Sequence, residues 1–227
     1  MLQASLNDAA IALHDVFNRE HINFGIFGGY AIGALGGVRE SKDIDCLASV
    51  SKDKVIQILT EMDGFRVIPQ SREDYVAFFW SDHVDGRNPV LIEIFCEKFP
   101  GATYVMDDVA CNPSIIIGRN FGQGTSMFLE PFLLFKGKLR AAATRAKFHD
   151  SADLRMLGGK FENAIKSRAN EVSLEYVGLA MKRYGVLENL FRRLNIDVDK
   201  AKEVVQSYDL EDVPPPAVGD VQRGLLA

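Results

Sequence analysis

The sequence has few cysteines and few histidines, and both shortages exclude classes of protein. The three cysteines of the 227-residue chain are Cys46, Cys96 and Cys111, which lie far apart and form no CxxC pair. They predict reduced core thiols without disulfides, as is typical of an intracellular protein. The four histidines show no zinc-ligand spacing, so a structural zinc site is not expected.

Long apolar runs are also missing. The longest lie at 76–80 and 90–95, far short of the roughly 20 residues that a transmembrane helix needs. The first 21 residues have the pattern of an amphipathic helix that carries Asp8, Asp15 and Glu20, and they lack the basic start and apolar core of a signal peptide. We therefore expect a cytoplasmic protein without a membrane partner.

The charge balance is acidic overall but uneven along the chain. Lys and Arg number 26 against 31 Asp and Glu, for a net charge of −5. This balance argues against a broad nucleic-acid-binding surface, which needs excess positive charge. Residues 131–168 nevertheless contain nine basic and three acidic side chains, so a local basic patch is predicted there.

The spacing of apolar residues predicts an α+β protein, with a mixed sheet flanked by helices and then a helical module. The boundaries are a sheet module at 1–128, a helical module at 129–210 and a polar, proline-rich tail at 211–227. Strands are predicted at 24–27, 43–49, 64–69, 74–81, 89–97 and 114–119. Helices in the second module are predicted at 131–146, 149–166, 171–183, 185–194 and 198–207.

Three carboxylates stand out in these predicted strands. Asp43 and Asp45 are two residues apart, so both side chains point to one face, with Cα atoms about 6–7 Å apart. A D-x-D alone is typical of an exposed strand start, but Glu93 interrupts the apolar run VLIEIF. A buried carboxylate requires a partner, either a Lys or Arg side chain or a metal ion. Three such groups suit two Mg²⁺ ions, with Mn²⁺ as an alternative.

Gly28 and Gly29 lie between a predicted strand and a predicted short helix. Glycine lets the backbone approach a phosphate closely, and a helix N-terminus offers free N–H groups to it. Most such pairs only make a tight bend, and the segment matches neither G-x-G-x-x-G nor the P-loop pattern. Its order along the chain, before D-x-D and a later carboxylate strand, favours a phosphate-binding role.

Residues 27–47, FGGYAIGALGGVRESKDIDCL, resemble the signature of the DNA polymerase β-like nucleotidyltransferase superfamily, in which GG or GS precedes D-x-D by about a dozen residues. The R-x-S-K-D-I-D segment at 39–45 is similar to the abortive-infection-type toxin branch, as is KLRAAATRAKFHDSADL at 138–154. The aromatic residue after GG is similar to the aminoglycoside and lincosamide nucleotidyltransferases. Two departures are Tyr30, where many members have Ser or Thr, and Glu93, where Asp is commoner.

The resemblance implies Mg²⁺-dependent transfer of a nucleoside monophosphate from an NTP, such as ATP, to an acceptor hydroxyl, with release of pyrophosphate. The acceptor can be a small molecule, a tRNA 3′ end or a protein. The implied metal ligands are Asp43, Asp45 and Glu93, with Glu93 also acting as general base. The implied nucleotide-binding residues are Gly28, Gly29, Arg39, Ser41, Lys42, Lys136, Lys138, Lys147 and Asp150, so the helical module is expected to complete the cleft.

Two alternatives stay open at this point. A metal-dependent glycosyltransferase also uses D-x-D to hold a metal and a nucleotide-sugar, although it does not require the upstream GG turn. A relative without catalytic activity that binds a nucleotide or a partner protein has the same signature.

Overall fold

A computed structural model describes residues 3–38, 40–106, 109–210 and 217–227. The chain forms two compact units. The sheet unit comprises Met1–Glu130 and Val218–Leu226, and the helical unit comprises Pro131–Ala217 with Ala227. The division after Glu130 lies two residues beyond the boundary that the sequence predicts.

The sheet unit contains one seven-stranded mixed sheet, as the predicted fold class requires. Its strands are β1 (Phe24–Phe27), β2 (Asp43–Ser51), β3 (Phe65–Ile68), β4 (Tyr75–Trp80), β5 (Val90–Lys98), β6 (Cys111–Ile117) and β7 (Gln123–Leu129). Their order across the sheet is β3-β4-β5-β2-β1-β7-β6. The β2–β5 and β1–β7 pairs are parallel, and the other neighbours are antiparallel.

Within residues 3–130, the described helices of this unit are α1 (Gln3–Arg19), α2 (Gly28–Ala34) and α3 (Lys52–Thr60). The α1 helix packs mainly on β6 and β7, and α3 packs on β2, β3 and β4. The Ser51 side chain caps α3 by accepting a hydrogen bond from the Lys54 N–H. One face of the sheet is buried at its central strands, where Ile44 and Ile92 have no exposed surface. Burial of this apolar face is the main stabilising term of the unit.

The strand β7 was not among the predicted elements, although it lies inside the sheet between β1 and β6. Its first residues, Gln-Gly-Thr-Ser, lack the alternation of apolar and polar residues that indicates a strand. Ser126 is completely buried and donates a hydrogen bond to the Ala10 carbonyl at 3.1 Å. The hydrogen-bond requirement of the buried Ser126 is therefore met by α1, which is distant in sequence, and the local sequence pattern around β7 does not indicate this contact.

The helical unit is built from α4 (Pro131–Thr144), α5 (Phe148–Lys160), α6 (Glu162–Lys166), α7 (Leu174–Arg183), α8 (Leu187–Arg193) and α9 (Val198–Val204). The helix predicted at 149–166 is divided at Phe161 into α5 and α6. Phe135 and Phe191 meet edge to face, with ring centroids 6.5 Å apart. No helix in the described part of the chain is long and apolar enough to cross a membrane.

The predicted polar tail at 211–227 is wrong for its last part. Residues 211–216 lie outside the described residues, but Asp220–Leu226 forms the helix α10 and 218–226 belongs to the sheet unit. Gln222 and Leu225 are each 1% exposed, because α10 packs on β5. The residue just before α10, Gly219, donates its backbone N–H to the buried Asp74 carboxylate. Burial raises the pKa of Asp74, but the hydrogen bonds from Arg72 and from Gly219 outweigh burial and hold this pKa below its usual value.

Asp8 is a buried charge that connects α1 to the turn between β6 and β7. Its carboxylate is 1% exposed and accepts hydrogen bonds from the backbone N–H groups of Arg119, Asn120 and Phe121 at 2.9–3.1 Å. The three backbone N–H groups and the carboxylate therefore satisfy each other's hydrogen-bonding capacity and take the place of water molecules.

We predict that Asp8→Ala lowers the free energy of unfolding by about 2–4 kcal/mol, because it removes a buried acceptor and leaves the Asn120 and Phe121 N–H groups without their hydrogen bonds to it. Urea denaturation of the intact chain measures this change. The matched control is Asp15→Ala on the exposed side of the same helix, for which we expect a change within about 0.5 kcal/mol. Equal losses in the two variants would contradict the role given to Asp8.

Candidate functional site

The three carboxylates lie on the less buried face of the sheet. Along β2 and β5, buried residues alternate with half-buried ones near the start of each strand. Ile44 and Ile92 point to the packed face, whereas Asp43, Asp45 and Glu93 are half-buried. Strand alternation therefore places the carboxylates where a ligand can reach them, while the neighbouring residues anchor the strands.

The strand register brings the predicted residues together. Asp45 pairs directly with Glu93 across the parallel β2–β5 ladder and with Phe27 across the antiparallel β1–β2 ladder. Asp43 lies two residues before Asp45 on the same face. The end of β1, with the GG turn that follows it, and the two carboxylate-bearing strands are thus neighbours in the sheet.

Gly28 is in close contact with Asp45. Its φ of 72° lies in the left-handed region, and an added Cβ would be 1.8 Å from Asp45 Oδ2. Glycine at this position is therefore required twice, by the backbone conformation and by the carboxylate beside it. Gly29 is buried as the second residue of α2. The requirement for glycine at position 28 holds whether or not a phosphate binds there.

We predict that Gly28→Ala is much more destabilising than Gly122→Ala. Both glycines have similar positive φ values, 72° and 68°, but an added Cβ at Gly122 has nothing within 4 Å. The control variant therefore has only the conformational cost, of about 1–2 kcal/mol. The difference between the two melting temperatures measures the contact with Asp45, and similar melting temperatures would contradict that contact.

Neutral hydroxyl groups hold two of the carboxylates. The buried Ser41 donates to Asp43, with its Oγ 3.0 Å from Oδ1. The Tyr75 hydroxyl donates to Glu93 Oε1. The sequence left open whether the partner of Glu93 is a Lys or Arg side chain or a metal ion, and among the described residues its hydrogen-bond partner is this tyrosine. Burial first, and then the bond to Glu93 and the charges of Glu93 and Asp45, raise the pKa of Tyr75, so it remains a donor at neutral pH.

Tyr75 was not predicted as a site residue, because its role depends on strand register. It pairs with Phe95, whereas the residue directly opposite Glu93 is Ala77. The small side chain of Ala77 leaves room, and a tyrosine reaches a diagonal neighbour across an antiparallel pair. The only signal in the sequence is a tyrosine at the start of an otherwise apolar strand.

The donor set of the site fits a hard divalent cation. All three side chains offer carboxylate oxygens, which Mg²⁺ and Mn²⁺ prefer. In this conformation, no three His, Cys, Asp or Glu side chains of the described residues form a ready metal-binding group. The bonds from Ser41 and Tyr75 each use one oxygen of a carboxylate that has two. The residues therefore fit the ion, once their side chains turn toward a common point.

Tyr30 stands where many members of the superfamily that residues 27–47 resemble have Ser or Thr, and it is part of the core of the sheet unit. Its side chain is completely buried, and its hydroxyl donates to Asn7 Oδ1 at 2.9 Å. Its ring lies 5.7 Å from that of Phe128. The aromatic residue after GG therefore joins α2 to the core of the sheet unit.

Of the other residues predicted to bind nucleotide in the sheet unit, Lys42 is exposed beside Asp43. Arg39 lies outside the described residues. Ser41 donates a hydrogen bond to Asp43, a candidate metal ligand, and its contact with phosphate stays a prediction.

In the helical unit, Lys138 and Asp150 belong to a buried charge network. Lys138 Nζ lies 2.8 Å from Asp153 and 3.7 Å from Asp150, and all three side chains are almost completely buried. Arg145 donates two hydrogen bonds to Asp150, at 2.8 and 3.1 Å. Asp150 thus orients two basic neighbours, and the network joins α4 to α5.

The remaining two lysines predicted to bind nucleotide differ in environment. Lys147 is exposed immediately before α5, where its side chain makes no capping hydrogen bond. Lys136 is 8% exposed, and its Nζ lies 5.9 Å from the centre of the Phe132 ring. Burial lowers the pKa of Lys136, with a smaller opposing effect of Glu171.

We predict that Lys138→Met lowers the free energy of unfolding by about 3–5 kcal/mol, because Asp150 and Asp153 lose a buried counter-charge. The matched variant Lys147→Met removes an exposed lysine nine residues later, with an expected change within about 0.5 kcal/mol. Chemical denaturation of both proteins is the measurement. A stable Lys138→Met protein would show that the network contributes little to the helical unit.

The cysteines are free thiols, as predicted. Cys46 and Cys96 are buried and Cys111 is half-buried. Burial raises the pKa of Cys96 to about 12 and, together with the charge of Glu130, that of Cys111 to about 11. Both therefore remain protonated at neutral pH and are poor nucleophiles and metal ligands.

Comparison with solved structures assigns the fold. An antigenic nucleotidyltransferase-like protein from Paracoccidioides brasiliensis matches with a TM-score of 0.53 and 14% identity, over 83% of this chain and 93% of that chain. ANT(2")-Ia, in complex with adenylyl-2"-tobramycin, matches with a TM-score of 0.45 and 16% identity, over 67% and 86%. Lincomycin-bound lincosamide antibiotic adenylyltransferase LnuA matches with 0.43 and 15%, over 63% and 90%.

The last two TM-scores are below 0.5, so the assignment rests on the first comparison. This chain has a nucleotidyltransferase fold, which confirms the fold expected from residues 27–47. No protein-family model matches the chain, and no curated protein matches it in sequence.

Proposed function

We propose that this protein is a Mg²⁺-dependent nucleotidyltransferase, which transfers a nucleoside monophosphate from an NTP to an acceptor hydroxyl and releases pyrophosphate. The observation that carries the proposal is the grouping of Asp43, Asp45 and Glu93 on one half-buried face, beside the GG turn. A nucleotidyltransferase fold supports it. Cytoplasmic location belongs to the same proposal, and the free thiols support it.

Asp43, Asp45 and Glu93 are the residues that would hold two Mg²⁺ or Mn²⁺ ions. The bound ions would neutralise phosphate charge and bind the attacking and leaving oxygens. Excess negative charge on this face also favours cation binding, because like-charged carboxylates repel each other until a cation lies between them.

The residues of the chain contribute mainly position and charge. The acceptor oxygen attacks the α-phosphorus in line, the bond from that phosphorus to the α,β-bridging oxygen breaks, and pyrophosphate leaves. The Glu93 carboxylate takes the proton of the attacking hydroxyl, so that atoms and charges balance. Ser41 holds Asp43 in its orientation, and Gly28 leaves room for Asp45. Once the carboxylates have turned toward a bound ion, groups held in place lower the barrier because they do not reorganise during the reaction.

The nucleotide-binding roles of Arg39, Lys42, Lys136, Lys138, Lys147 and Asp150 stay predictions from the sequence. The buried pairing of Lys138 with Asp153 favours a structural role for that lysine. Exposed Lys147 is the better candidate for contacting a phosphate. We also propose that the acceptor belongs to one of three classes, namely small molecules, tRNA 3′ ends and proteins.

We predict that Asp45→Ala lowers Mg²⁺-dependent pyrophosphate release from an NTP by roughly 100-fold or more, because transition-state charge loses its stabilisation. A coupled assay for pyrophosphate, with and without a chelator, measures the rate. Asp15→Asn provides a control, since it removes an exposed carboxylate on α1. If Asp43→Ala/Asp45→Ala released pyrophosphate as fast as the unchanged protein, the two-metal hypothesis would be wrong.

The acceptor is identified by incubating the protein with NTP labelled at the α-phosphate and a cell extract. Label in RNA, protein or small molecules distinguishes the three acceptor classes. Turnover of a UDP-sugar in the absence of NTP turnover would instead support a glycosyltransferase.

A further inference from the structure

Tyr75 is held in place on several sides. Its ring lies 5.1 Å from that of Phe95, and the Arg72 guanidinium lies 5.8 Å from the ring centre. Its hydroxyl donates to Glu93 Oε1. Tyr75 therefore has little rotational freedom, and its hydroxyl defines the position of one Glu93 oxygen.

Asp74, the residue before Tyr75, is completely buried and anchors the start of β4. Arg72 donates to both of its carboxylate oxygens, at 2.9 and 2.7 Å. Its backbone carbonyl accepts the N–H of Cys96 at 2.8 Å. The conformation of Tyr75 therefore depends on the bonds made by Asp74.

The 218–226 segment supplies further bonds to the same residue. The Gly219 N–H donates to Asp74 Oδ2 at 2.8 Å. Gln222 Nε2 donates to the carbonyls of Asp74 and Cys96, at 3.3 and 2.9 Å. These residues all belong to the sheet unit, although Gln222 follows Asp74 by 148 residues.

We propose that Tyr75 is a positioning residue for Glu93, and that the 218–226 segment acts on the site through Asp74 and Tyr75. This inference rests on the proposed function. Glu93 has three rotatable side-chain bonds and lies opposite the negative charge of Asp45, so it needs a donor to hold it at a fixed place. Tyr75 supplies that donor, and Gln222 fixes the strand end from which Tyr75 projects.

The first test is Tyr75→Phe, which removes one hydroxyl and keeps the ring packing. Loss of a group that orients a metal ligand typically costs 10–100-fold in metal affinity or activity. We expect kcat for pyrophosphate release to fall by roughly that factor, with KM for NTP changed less than about threefold. The control is Tyr30→Phe, which removes another buried hydroxyl in the same unit without touching Glu93.

Metal affinity gives a readout that does not depend on turnover. Titration with Mn²⁺, followed by the electron paramagnetic resonance of the free ion, measures binding to each variant. We expect Tyr75→Phe to weaken binding by roughly 10–100-fold, and Tyr30→Phe to leave it unchanged.

The second test concerns the 218–226 segment and uses a double-mutant cycle. Gln222→Leu keeps the approximate volume but removes both hydrogen bonds, and we expect it to lower kcat. In the Tyr75→Phe background, the same change should have no further effect on kcat, because its path to Glu93 is already interrupted. Rates are measured well below the melting temperature of every variant, so that loss of stability does not enter.

The outcomes separate this inference from the proposed function. An active, Mn²⁺-binding protein in which Tyr75→Phe changes neither quantity overturns the positioning role and leaves the proposed function intact. Losses in Gln222→Leu and Tyr75→Phe that multiply in the double variant overturn the connection through Asp74. An unchanged protein that neither binds Mn²⁺ nor releases pyrophosphate overturns the proposed function and this inference together.

Discussion

Asp45 and Glu93 face each other on adjacent parallel strands, so two carboxylates are held at a spacing at which their charges repel. The opposite face keeps them there, because Ile44 and Ile92 are completely buried and the strands cannot move apart without exposing them. Gly28 has no side chain where Asp45 lies, and Ser41 turns Asp43 by a hydrogen bond. Apolar packing of Ile44 and Ile92 on one face of the sheet thus holds the negative charges of Asp45 and Glu93 close together on the other face.

Neighbouring carboxylates also occur in the helical unit, but there they are paired with basic side chains. Asp150 and Asp153 are also close and buried, but Lys138 and Arg145 neutralise them permanently. In the described part of the chain, hydroxyl groups rather than cationic side chains are the partners found for Asp43 and Glu93. A hydroxyl orients a carboxylate without cancelling its charge. Asp150 and Asp153 thus have a structural role in the helical unit, whereas Asp43 and Glu93 keep a negative charge that a cation can neutralise.

Much of the sheet and of the carboxylate site could be predicted, because strand alternation is local and the GG and D-x-D spacing lies within 21 residues. The strand β7 could not, since its polar start is compensated by α1, far away in sequence. Tyr75 escaped prediction because a diagonal contact exists only once the β4–β5 register is known. For Lys138, a basic sequence pattern does not reveal that its counter-charges are buried with it. The missed features are all long-range pairings, which composition and periodicity do not encode.

The sheet unit is discontinuous along the chain, because residues 131–217 intervene before Val218–Leu226 joins it. During synthesis, β1 to β7 leave the ribosome long before Gln222 does, so the strands can pair while the start of β4 still lacks its last hydrogen bonds. Closing so long a loop costs entropy and occurs late. A nascent chain that ends within the helical unit therefore contains Asp43, Asp45 and Glu93, but it lacks the hydrogen bonds from Gly219 and Gln222 to Asp74. Pairing of the strands alone therefore leaves the start of β4 without the hydrogen bonds that the 218–226 segment supplies.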